Sequence, residues 1–281
     1  MNRKTLVGSL VASAGLVGLL FVIFGLSIGP AALVADSEIA GSKCKDLPGH
    51  AEVTDALEDV VVTTPPDSEE DLNNSENAGL NNDMWATIVN RDGIVCNVTF
   101  SGDDRGDQWP GSRVISAQKA NTANAFSLPE GAGGLFNGLA LSTANLWSLT
   151  QPGGSLFGLQ FSNPVDTDVA YGGDAKKYGQ KKDPMVGKKI GGVNVFGGGL
   201  GLYDEDGNLL GALGVSGDTS CTDHIIAWKV RHALGLDYVP SGVSADGDDN
   251  IVFDLDSAFG HPNCLFPSTE AAVVAALPAT P

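Results

Sequence analysis

The chain has 281 residues and a formal net charge of −18 at pH 7, from 34 acidic against 16 basic residues. A surface this acidic repels nucleic acid and anionic lipid, and no basic patch with interleaved aromatics interrupts it, so nucleic-acid binding is excluded. The length admits one or two domains.

Residues 1–35 read as a targeting segment. Arg3 and Lys4 precede an uncharged apolar run, 6–35. That run exceeds the roughly 20 residues that span a bilayer. It is either a signal peptide cut near Ala35 or an uncleaved membrane anchor. Leu33 at the −3 position opposes cleavage, and the length favours the anchor. Both readings place the remainder outside the cytoplasm, periplasmic or extracellular, possibly anchored. Four cysteines follow: Cys44, Cys96, Cys221 and Cys264. None form C-x-x-C, which argues against zinc. An even number in an exported domain favours two disulfides, with three connectivities open. Cys44–Cys96 with Cys221–Cys264 is preferred, because it ties each terminal extension to the core. A reactive thiolate at Cys221, near a helix start, is the competing reading.

After a polar lead-in, 36–49, residues 50–63 carry Val53, Ala56, Leu57, Val60 and Val61 at helical spacing, and Pro65 and Pro66 stop that helix. Residues 64–83 form an acidic, Asn-rich loop. Two β-rich runs, 84–90 and 94–100, flank Asp92-Gly93, a strong hairpin signal. A second helix, 112–126, has Ser112 as a candidate N-cap and a stripe of Val114, Ala117, Ala120 and Ala123 that permits close approach to a sheet. A further helix is expected over 135–149. A long loop, 151–191, contains a short strand near 156–161. Strands follow at 193–196, 200–203 and 209–215. The turn Asp204-Glu205-Asp206-Gly207 lacks calcium-loop spacing and joins the last two. A helix over 221–234 is capped by Asp218, Thr219 or Ser220 and stopped by Gly235. Residues 236–267 read as an irregular extension and 268–281 as a poorly ordered tail. This order gives an α+β domain with an antiparallel sheet flanked by helices.

Three motifs then become specific: Lys119-Ala120-Asn121-Thr122-Ala123 on the second helix, Gly191-Gly192-Val193-Asn194-Val195, and Gly211-Ala212-Leu213-Gly214-Val215-Ser216-Gly217 leading into a helix with Asp223. Over 50–235 the chain resembles the GlcG/HbpS-like family, the haem-degrading or PduO C-terminal-like group. Asn194 stands where that family usually has Pro. The resemblance implies a profilin-like three-layer domain with a five-stranded antiparallel sheet, haem binding, and homo-oligomers with sites between subunits.

The candidate site residues follow from both lines. Gly191 and Gly192 let backbone approach closely. Gly214 and Gly217 bracket a tight turn, beside Ser216, whose following helix amides can hold a carboxylate or propionate. Lys119 can pair with a bound acid. Each of these residues also has a plain packing or solvation role. Gly214-Val215-Ser216-Gly217-Asp218 departs from a nucleophile elbow at its last position, with His232 or His261 downstream as a candidate base. Haem iron takes His, Met, Cys or Tyr. His224 lies one helical turn from Trp228 and is the candidate metal ligand, and His50, at the first helix start, is the second. The leading function is exported haem or tetrapyrrole binding for storage, sensing or slow degradation. The alternatives are an enzyme or accessory factor acting on a small organic acid, and a structural, oligomeric assembly protein.

Overall fold

The computed structural model describes residues 44–62, 75–132 and 134–281. The expected leader, 1–35, and most of the acidic loop lie outside them. Among the described residues no helix is long and apolar enough to cross a membrane.

The Asp92-Gly93 turn forms where the sequence placed it. Asn90 Oδ1 accepts from the amides of Asp92 and Ile94, tightening the turn between β1 (Trp85–Asn90) and β2 (Val95–Phe100). β3 (Gly199–Tyr203) and β4 (Leu209–Ser216) complete an antiparallel sheet in the order β2-β1-β4-β3. The sheet has four strands, not the five expected. The run at 156–161 instead enters a single helical turn, α4 (Leu159–Ser162), after α3 (Trp147–Thr150) and before α5 (Thr167–Ala170). The run at 193–196 spends its amides on separate acceptors: Val193 donates to Asn163 O, Asn194 to Thr122 Oγ1, Val195 to Gln160 Oε1 and Phe196 to Asn194 Oδ1. Amides spent on scattered acceptors cannot build a strand ladder.

Helices cover both faces of the sheet. α1 (His50–Glu58) and α6 (Ser220–Ala233) pack one face through Val53, Leu57, Ile226 and Val230 against Ile88, Leu202 and Leu213. α2 (Ser112–Phe126) packs the other, its Ala117, Ala120 and Ala123 fully buried against Val89, Val98 and Ala212. Two cross-strand partners, Gly199 and Gly214, let α2 settle on the sheet. A Cβ on Gly214 would lie 2.0 Å from Ser116 O, and one on Gly199 2.5 Å from Lys119 O. The cap of α2 is Gly111, and Ser112 is its first helical residue.

Residues 135–149 form no single helix. Residues 135–138 are a turn, and Leu139 and Ala140 pair with Ser241, so only a 3-10 turn (Ala144–Leu146) and α3 remain. The preferred disulfides are both present: Cys44–Cys96 and Cys221–Cys264. Cys221 is therefore not a reactive thiol. Within the expected tail, 268–281, the residues up to Ala275 are helical. α7 (Pro267–Ala275) starts at a proline, and its buried Glu270 accepts from the amides of Cys264, Leu265 and Phe266 at 2.8–2.9 Å.

Candidate functional site

α2 seats Lys119 at the C-terminal end of β4, fully buried. Its Nζ donates to Val215 O at 3.0 Å and to Asp223 Oδ2 at 2.5 Å. Asp223 sits in the first turn of α6, and its Oδ1 accepts from the amides of Gly217 and Asp218 at 3.0 and 2.8 Å. Burial pushes the Asp223 carboxyl up to about 6, against the pull of the Lys119 charge. Burial lowers the Lys119 ammonium, and Asp223 works against that fall. Asp223 thus occupies the turn amides of Gly217 and Asp218, while the helix-opening amides of Cys221 and Thr222, expected to cradle a ligand carboxylate, donate to Cys264 Sγ and Thr219 Oγ1. Thr219 caps the helix, accepting from Thr222 N, and burial raises the nearby Asp218 carboxyl.

These groups floor a polar cleft of about 270 Å³, walled by Trp109, Ile115, Phe196, Ser216 and Ser220. Of the residues singled out in the sequence, Lys119 and Ser216 meet here, with Gly217 beneath. Gly217 is not left-handed; its bare Cα is needed because a Cβ would lie 2.4 Å from Asp83 O. Gly191 and Gly192 lie outside the cleft, at φ +65° and +80°. Gly192 O accepts from Asn121 Nδ2, and a Cβ there would meet Val165 and Gln118.

The expected histidine ligand is sealed. His224 and Trp228 do face one another, with ring centroids 6.0 Å apart, but both are buried. The extension 236–267 covers His224: its Nε2 accepts from Ile251 N at 3.1 Å and lies 3.2 Å from Asn250 Oδ1. Burial drives its pKa down to about 3. Trp228 Nε1 donates to Pro278 O, and the Arg231 guanidinium lies over its ring. Arg231 itself is locked by a buried pair with Asp249 of the extension, at 2.8 Å. In this arrangement the His224 ring is 0% exposed, with its Nε2 engaged by Ile251 N. His50 stands in the first turn of α1, its Nε2 3.0 Å from Gly179 O.

A second concavity opens on the other side of the first turn of α2. This groove, of about 390 Å³, is walled by Trp85, Tyr171, Tyr178, Pro110, Arg105 and Arg113. Trp85 is 1% exposed and stacks on Phe100, yet its buried indole N–H finds no acceptor among the described residues. Arg113 braces the wall: it makes a two-pronged pair with Asp183, donates to Ala170 O and lies 3.6 Å over the Tyr178 ring. Tyr171 is 63% exposed at the rim. Sequence reasoning missed this groove because its residues share no motif. Asp223 was within reach, since it follows Gly217 by six residues in the recognised motif.

The model of the haem-degrading, HbpS-like proteins matches residues 73–231, more than half of the chain. No curated protein matches it. Among solved structures, that of Klebsiella pneumoniae protein ORFY, a DUF336 protein, aligns at 20% identity and TM-score 0.37, covering 66% of this chain and 87% of that one. A PduOC:haem complex aligns at 19% and 0.35, covering 73% and 94%. The match runs from before the hairpin through the Lys119 helix and the Gly214–Gly217 turn to the end of α6, and by it the chain belongs to the haem-degrading, HbpS-like family.

Proposed function

We propose that this protein binds haem, or a closely related tetrapyrrole, outside the cytoplasm, for storage, sensing or slow degradation, and that the aromatic groove holds it. The observation that carries this reading is the buried indole N–H of Trp85, without an acceptor among the described residues, in the wall of a concavity that also carries Asp104, Arg105 and Arg113. An unmet buried donor is costly, and a ligand acceptor relieves it. Tyr171 and Tyr178 offer aromatic ring surface, and Arg105 offers a partner for a propionate. Tyr171 is the iron ligand of choice, since tyrosine oxygen is an accepted haem ligand and His224 is closed off. The groove lies near the low end of the roughly 300–1,000 Å³ typical of ligand pockets. A macrocycle would therefore protrude, which suits a site completed by a second copy of the chain. The two disulfides are consistent with export.

A small organic acid in the polar cleft is the weaker alternative. Asp223 already occupies the amides, and Asp218 adds a second carboxyl to the same wall. Haemin titration followed by the Soret band tests the reading. Tyr171→Phe should shift the band and weaken binding at least tenfold, whereas His224→Ala should titrate like the parent. Equal titrations for the parent, Tyr171→Phe and Trp85→Phe would remove the groove as the site.

A further inference from the structure

The extension beyond the family match brings one more group up to Ser220, a residue of the cleft lining. His261 is 2% exposed, and its Nε2 lies 2.8 Å from Ser220 Oγ. Its Nδ1 lies 2.7 Å from Pro262 O. A carbonyl can only accept, so Nδ1 carries the ring proton and Nε2 presents its lone pair to the serine. Ser220 Oγ also accepts from Gly197 N at 2.7 Å, which leaves its own proton directed at Nε2. Ser220 is the first residue of α6, where the helix dipole favours developing negative charge, and it lines the cleft. Nucleophile, base and a group orienting the base are thus in line. The Cys221–Cys264 disulfide fixes the two chain segments on either side of the pair.

We propose that Ser220 and His261 form a nucleophile–base pair for acyl transfer, acting on small, neutral or cationic carboxylic esters. The size of the cleft sets the first limit on substrate, and the carboxyls of Asp218 and Asp223 in its wall set the second. Ser220 Oγ attacks the ester carbon and forms the new C–O bond while its proton passes to His261 Nε2. The ester C–O bond breaks, and the departing alcohol takes that proton. Water repeats the sequence, releasing the acid and restoring the serine. Ser216, the serine of the motif, has no histidine beside it among the described hydrogen bonds and is not the nucleophile.

The full chain with both disulfides intact should be treated with a neutral alkyl fluorophosphonate and mapped by peptide mass spectrometry. Attack by Ser220 forms a P–O bond, expels fluoride and passes the proton to His261. The adduct is expected on Ser220, to vanish in Ser220→Ala, and to form on the order of 100-fold more slowly in His261→Gln. Folding of each variant is checked by its circular dichroism. Absence of an adduct on the native chain overturns the proposal. So does labelling of native Ser220 no faster than in urea-unfolded chain, a comparison that holds even if His261→Gln does not fold.

Discussion

Lys119 Nζ and Asp223 Oδ2 lie 2.5 Å apart, joining α2 on one face of the sheet to α6 on the other across the end of β4. Both side chains are at most 4% exposed. A buried pair of this kind stabilises little relative to a well-packed apolar pair, yet breaking it strands a charge. Lys119→Met should therefore cost about 3–5 kcal/mol in urea unfolding, and Asp223→Asn a comparable amount. The double variant should cost well under the sum. Additive losses would show that the two groups do not depend on one another.

The sealed histidine makes stability depend on acid. His224 titrates near 6.5 when unfolded and is pushed to about 3 when folded, chiefly by burial. The unfolded chain then binds the extra proton, so the stability His224 contributes is complete above pH 6.5 and is lost as pH falls toward 3. His261, lowered to about 4 by burial, acts in the same sense. Asp223, raised to about 6, acts in the opposite sense between 6 and 3.8, as does the raised Asp218. The net slope mixes these groups, so the clean observable is a difference. Between pH 7 and pH 4, wild type should lose on the order of 3 kcal/mol more unfolding free energy than His224→Gln. Equal losses would mean that His224 is hydrated in the folded protein.

Local signals carried the parts of the fold that rest on local physics. Asp92-Gly93 marked the hairpin, the alanine stripe marked α2, and Gly214 to Asp223 marked the strand-to-helix turn beneath the cleft. The cysteine pairing followed from asking which bridges tie the extensions down. The C-terminal extension was not legible, because side chains pin its backbone from far along the chain. Arg231 reaches Asp249, Ile251 N reaches His224, and Glu270 gathers three amides. No periodicity records such contacts. The same extension reversed the reading of His224: the helical spacing to Trp228 was right, but the shared face turns inward. Ser220 and His261 stand 41 residues apart and only the folded extension brings them together.

The seat of α2 gives the last prediction. A Cβ on Gly214 would lie 2.0 Å from Ser116 O and 2.5 Å from Ala120 N, both backbone atoms. No rotamer change relieves that contact, so Gly214→Ala must lift α2 from the sheet. Gly235 provides the control: it has φ +63° and nothing within 4 Å of its would-be Cβ, so Gly235→Ala meets only the left-handed backbone cost of about 1 kcal/mol. Overpacking a close-packed interface adds about 1–3 kcal/mol or more. Gly214→Ala should thus lower Tm by at least twice the drop seen for Gly235→Ala. Because α2 also carries Lys119 into one cleft and Arg113 into the other, Gly214→Ala should weaken haemin binding while Gly235→Ala leaves it unchanged. Equal Tm losses in the two variants would show that α2 does not rest on the Gly199–Gly214 notch, and both clefts would then need a different support.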